Sequence, residues 1–142
     1  MNSLQKTFCR PGVSKLHGVG MYAVCPIPKG TVVMPTRGLA GCWKPKEWAH
    51  ENNIQNGVVN MMQELICSHE YDSDTFVFVP QEPIIDFNAQ MLMNHSNDAN
   101  LTVNDNYHLE AVRDIEEGEE LTENYLCVCG EQYFISKVKN NR

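Results

Sequence analysis

The sequence predicts a mainly β fold with short inserted helices. Three observations carry that expectation. Short runs of β-branched, aromatic and apolar residues recur along the chain, bounded by turns rich in proline, glycine, asparagine and aspartate. Two segments at most show helical spacing. No low-complexity tract and no internal repeat breaks the pattern. At 142 residues the chain suits one domain, 1–142, large enough for a core of its own. The loose parts are the ends, 1–7 and 137–142.

The elements follow in order. Residues 21–25 are a brief apolar run behind two glycines, Gly18 and Gly20. Pro26-Ile27-Pro28-Lys29-Gly30 is a turn, because proline fixes φ and glycine frees it. Residues 31–34 are β-branched and apolar and form a strand. Pro45 opens a helix through Trp48 and His50, since proline is tolerated at a helix start. Val58, Met61, Met62, Leu65 and Ile66 then recur at helical spacing. That methionine-rich stripe reads as core packing. Residues 75–79 alternate Phe76 and Phe78 with valines and form a strand. Residues 83–86 begin another strand, 107–112 form a further one, and 114–118 make a turn.

Composition narrows the partners. The formal charge is −7, from 18 acidic and 11 basic residues. No cluster of lysine or arginine exists to neutralise phosphates, which argues against nucleic acid. Long-range attraction favours a basic peptide or protein, although net negative charge also serves solubility alone. No apolar run approaches the length of a membrane span. Residues 1–10 are polar and lack the apolar segment of a signal peptide, so an intracellular protein is expected. Cys9, Cys25, Cys42, Cys67, Cys127 and Cys129 then read as free thiols and not as a disulfide framework.

Three stretches do not read as ordinary packing. Asn94-His95-Ser96-Asn97-Asp98-Ala99-Asn100 follows the apolar run Met91-Leu92-Met93. Polar groups placed next to buried hydrophobes each need a hydrogen-bond partner. Gly118-Glu119-Glu120-Leu121-Thr122-Glu123-Asn124-Tyr125 is the second stretch. The third, Gly18-Val19-Gly20, allows a backbone to approach a ligand closely. It lacks the third glycine and the βαβ setting of a dinucleotide fingerprint, and alone it reads as a turn. His17, His50, His69, His95 and His108 show no metal-ligand spacing.

In this order and at these distances, the three stretches resemble the SET-domain protein-lysine methyltransferases, above all a small stand-alone viral or bacterial type. The resemblance covers residues 16–130, with a short tail over 127–142. It implies a β-clip fold of small curled sheets, in which a C-terminal segment threads beneath a loop. It also implies S-adenosylmethionine as cofactor. Gly18, Val19, Gly20 and Met21 match the segment that cradles the methionine end of that cofactor. Asn94 matches the asparagine that holds its amino-acid portion. The backbone around His95 would meet the adenine, while the imidazole organises the threaded segment. Tyr125 matches the active-site tyrosine and borders the cofactor. Phe134, or its neighbour Tyr133, would stack on the adenine. The implied substrate is a lysine of a basic protein or histone-like tail.

Departures from the family pattern bear on activity. Thr36 stands where a second channel tyrosine is usual, and Glu123 stands where a phenylalanine often shapes the channel. They keep open a non-catalytic peptide-binding module on the same fold. Cys127-Val128-Cys129-Gly130 looks like the start of the family's zinc cluster, but Asn97 and Phe134 occupy the other ligand positions. Two thiolates do not complete a tetrahedral site, so no metal is expected. A homodimer would suit so small a chain, because a partner would complete an open peptide groove. Gly20→Val is expected to weaken cofactor binding without unfolding the chain.

Overall fold

Two segments share the pattern Ala-Val-x-x-Ile-x-x-Gly: Ala23 to Gly30 and Ala111 to Gly118. This short repeat runs against the expectation of none. In the computed structural model, which describes residues 3–35, 41–65, 68–81, 89–106 and 108–124, the two copies are hydrogen-bonded reciprocally. The Ile27 N–H donates to the Ile115 carbonyl and the Ile115 N–H to the Ile27 carbonyl, each at 2.8 Å. The Gly118 N–H donates to the Ala23 carbonyl and the Gly30 N–H to the Ala111 carbonyl. The Ala23 and Ala111 N–H groups donate in turn to the carbonyls of Glu119 and Thr31, the residues that follow the two glycines. Both alanines and both isoleucines of the pattern are buried.

The glycines of the repeat have a conformational reason. Gly30 and Gly118 have φ of 85° and 87°, which a side chain strongly disfavours. Each sits third in a four-residue turn, closed by hydrogen bonds from Thr31 N–H to the Pro28 carbonyl and from Glu119 N–H to the Glu116 carbonyl. Asp114 accepts from the Lys29 N–H at 2.8 Å and ties the first turn to the second. The Glu116 N–H holds the Glu119 carboxyl below its ordinary range; burial opposes this and the Arg113 guanidinium adds to it. Ile115→Val removes one methylene from the contact between the copies and should cost about 1 kcal/mol in urea denaturation.

The chain divides into two units. The first comprises Met1–Arg37 and Phe87–Val128. Its described strands are β1 (Cys9–Val13), β2 (Val19–Ala23) and β3 (Val32–Pro35), then β7 (Asn94–His95), β8 (Leu101–Val103), β9 (His108–Ala111) and β10 (Glu120–Glu123). They form one sheet in the order β1-β2-β10-β8-β9-β3, with β7 also on β10. Strand β10 is the hub. Its first half, Glu120 and Leu121, pairs antiparallel with Tyr22 and Met21 of β2. Its second half, Thr122 and Glu123, pairs parallel with Asn94 and His95. Met21, Met93, Leu101, Leu109 and Leu121 pack with the two isoleucines into the core of this unit.

The second unit comprises Gly38–Asp86 and Cys129–Arg142. It carries β4 (Gly41–Pro45), β5 (Ser68–Tyr71) and β6 (Asp74–Pro80), with β6 in the middle. Asp72 and Ser73 have φ of 53° and 66° and form the two-residue turn that joins β5 to β6. Helix α1 (Lys46–Glu51) starts just after Pro45, close to the expected position. It ends where the Asn52 side chain donates to the Trp48 carbonyl and Asn53 turns left-handed. Helix α2 (Asn56–Leu65) buries Met62 of the expected stripe, but Val58, its first member, is 41% exposed and Val59 is buried in its place, because Val59 is the residue that packs with Ala49 and Val77. Ala49, Val59 and Val77 form its small core. The mainly β fold with short helices is therefore the one found. No helix among the described residues is long and apolar enough to cross a membrane.

Candidate functional site

The hub strand β10 brings the singled-out stretches together. Because β2 lies on its first half and β7 on its second, Gly20 and Asn94 converge on Glu120. A Cβ built on Gly20 would collide with Glu120 Oε1, lie 2.9 Å from Glu120 Cδ and 3.2 Å from Asn94 Nδ2. Glycine is thus required at this point by the close approach of two polar side chains. Gly20 has no left-handed backbone of its own; Gly18 does, with φ of 50°, and closes the turn that enters β2.

Asn94 is 8% exposed. Its amide nitrogen has four oxygen neighbours within hydrogen-bond distance: Ser14 Oγ and the His17 carbonyl at 2.9 Å, Glu120 Oε1 at 2.9 Å and the Val19 carbonyl at 3.2 Å. Four acceptors around one end of the amide decide which end is the nitrogen. The Ser14 hydroxyl knits the group together. It donates to Glu120 Oε1 at 2.6 Å and accepts from the N–H groups of Leu16 and His17. The turn from 14 to 18 is closed by the Ser14 N–H donating to the Gly18 carbonyl at 2.8 Å.

The other expected residues have distinct surroundings. Val19 is about half exposed and pairs with Val13 across the hairpin. Met21 is buried in the core opposite Leu121, so its side chain packs and any ligand contact there falls to backbone. His95 is half-buried, with Nε2 at 2.9 Å from Asn97 Oδ1. Tyr125 and Phe134 lie outside the described residues, as do Thr36, Tyr133, Cys127 and Cys129. Glu123, described to its carboxylate, is 4% exposed and accepts from Gln90 Nε2 at 3.4 Å.

Ser14, Glu120 and Asn100 were not singled out as site residues. The signal for Ser14 is a serine two and three residues before N–H groups in a glycine-ended turn, a pattern common to surface turns. Asn100 acts as a piece of backbone. Its Oδ1 accepts from the Thr122 N–H at 2.9 Å and its Nδ2 donates to the Glu120 carbonyl at 2.8 Å, so it holds β10 from the side. Asn100→Ala would leave both groups unpaired inside the unit and should cost about 2 kcal/mol, measured by thermal or urea unfolding.

Comparison with known proteins follows the same stretches. The family model described as SET domain matches residues 18–126. Among solved structures, a Plasmodium falciparum protein solved as a candidate histone methyltransferase is similar at 16% identity and a TM-score of 0.45. The alignment covers 84% of this chain and 93% of that one. No curated protein matches the chain.

Proposed function

This chain belongs to the SET domain family, and we propose that it transfers a methyl group from S-adenosylmethionine to a lysine side chain of a basic protein or histone-like tail. Family membership is the premise. The observation that carries the reading further is the convergence of Gly20, Asn94 and Glu120 on a strand that Asn124 and Tyr125 follow in the sequence.

The residues present fit the cofactor. The missing Cβ of Gly20 lets the Glu120 carboxylate and the buried Asn94 amide close on the backbone there. The surroundings of that amide are oxygen-rich: Glu120, Ser14 and the carbonyls of His17 and Val19. Such surroundings suit the α-ammonium of S-adenosylmethionine, whose amino-acid end also carries a carboxylate. When bound, the cofactor supplies a methyl group activated on a positively charged sulfur. Gly18, Val19, Gly20 and the Met21 backbone would line it, with Asn94 at its amino-acid end and the His95 backbone and Phe134 toward the adenine.

The chain's remaining task is to present a neutral amine in line with the methyl. A free lysine has a pKa near 10.4, so deprotonating it at pH 7 costs about 4.6 kcal/mol. An apolar channel lowers that cost by penalising the ammonium form. In this reading the Tyr125 hydroxyl orients the amine lone pair, and its ring borders the cofactor's positive charge. The acidic surface, at net charge −7, favours approach of a basic tail.

A second reading has its own observation. Glu123 is a buried carboxylate in the position where the family often places phenylalanine. A charge there suits recognition of a cationic side chain without transfer, as in a peptide-binding module. Radiolabelled methyl transfer to histones and other basic proteins, run beside calorimetry with S-adenosylmethionine, separates the two. Transfer supports the enzyme; cofactor-independent peptide binding with no transfer favours the module.

A further inference from the structure

We propose that Glu120, steered by Ser14, is the counter-ion that takes the α-ammonium of the cofactor, with Asn94 Oδ1 as the second acceptor. The inference rests on the cofactor reading above and adds to it two residues that the comparisons leave unassigned. Ser14 in fact precedes the stretch matched by the family model, 18–126.

Glu120 is half-buried at the start of β10. Its Oε1 accepts from the Ser14 hydroxyl and from Asn94 Nδ2. Its Oε2 accepts no hydrogen bond from the described residues, and no lysine or arginine among them pairs with it: their ion pair is Arg113 with Glu119. A carboxylate held in place by two neutral donors, with one oxygen free, is an incomplete site for a cation.

Asn94 shows the same asymmetry. All four of its partners crowd the nitrogen, and its Oδ1 takes no hydrogen bond from the described residues. The amide cannot turn over without facing its oxygen to two carbonyls and a carboxylate. An amide more than nine-tenths buried therefore keeps an unused acceptor end beside Gly20 and Glu120. Two acceptors, one of them charged, call for a group with several donors and a positive charge. An α-ammonium has three N–H donors and is mostly protonated at pH 7. The carboxylate on the same α-carbon would meet like charge at Glu120 and has to point away from it.

Ser14 is the positioning residue. Its hydroxyl gives its proton to Glu120, and that bond, with the one from Asn94, turns Oε1 inward and leaves Oε2 for the ligand. Its own orientation is set by the Leu16 and His17 N–H groups.

The test is calorimetry on the full chain with S-adenosylhomocysteine and with the analogue in which hydrogen replaces the α-amino group. Wild type should bind the amino form at least about tenfold more tightly, as a charge-assisted hydrogen bond implies. Glu120→Gln keeps shape and the Ser14 contact. It should weaken the amino form about tenfold to a hundredfold and leave the deaminated form within about twofold. Ser14→Ala should shift the same ratio in the same direction by a smaller factor. Equal loss for both ligands in a normally melting Glu120→Gln, or no loss for either, overturns the proposal. So does equal affinity of wild type for the two ligands, a comparison that needs no variant to fold. Wild type that binds neither ligand sinks the cofactor reading itself, and this inference with it; wild type that binds both alike sinks this inference alone.

Discussion

Tyr125→Phe should leave cofactor affinity within about twofold of wild type and cut single-turnover methyl transfer by about a hundredfold, because the variant keeps the ring and loses only the group asked to orient the amine. In the proposed reading the cofactor would be held chiefly by residues that the variant leaves unchanged, Gly20 and Asn94 on the first unit's sheet among them. A misplaced amine raises the barrier of the transfer step and not the dissociation constant. The loss should therefore fall on the rate of transfer and not on substrate binding. Were Tyr125 a core residue instead, deleting its hydroxyl would cost about 1 kcal/mol of stability from one hydrogen bond. That variant would melt early and transfer methyl at the wild-type rate. The two patterns are read from one protein preparation, and the second would remove Tyr125 from the mechanism.

Local chemistry was legible in the sequence, and long-range pairing was not. The turn at Pro28-Lys29-Gly30, the helix start at Pro45 and the burial of Met62 in α2 all rest on signals within a few residues. Strand β10 carried no such signal. Glu-Leu-Thr-Glu is acidic and short, and three of its four residues are nevertheless buried because neighbours far along the chain cover it. Tertiary context decides such a strand. The Ala-Val-x-x-Ile-x-x-Gly pair is faint in the sequence for a related reason. Four matched positions in each copy are too few to stand out, yet their partners are each other. The site was half legible. The motifs point to Gly20 and Asn94, but within the motif string the carboxylate between them has no distinct role. What assigns it one is the register that sets Glu120 against Tyr22 and so beside Gly20.

Gly20→Val should lower both stability and cofactor affinity, a correction to the expectation that binding alone would suffer. That expectation placed only ligand beside the glycine. The structure puts the Glu120 carboxylate there, in collision with any Cβ, and the Asn94 amide 3.2 Å away. Backbone strain is not the cause, since Gly20 is absent from the positive-φ glycines. The cost is steric. A flexible glutamate at the surface would swing aside, but Glu120 Oε1 is bonded to Ser14 and Asn94, so moving it breaks both contacts. Asn94 has no room to yield, being 8% exposed and fixed to the turn that enters β2. Overpacking of this kind costs about 2–3 kcal/mol. Loss of the carboxylate and amide geometry should weaken S-adenosylmethionine at least about tenfold. The cause can be isolated with Gly20→Ala, which adds only the offending carbon. Its destabilisation should shrink when Glu120→Ala is added, because the second change removes the atoms in collision. Full additivity of the two would show that the carbon meets something other than Glu120. Wild-type melting and wild-type affinity in Gly20→Val would take Gly20 out of the site altogether.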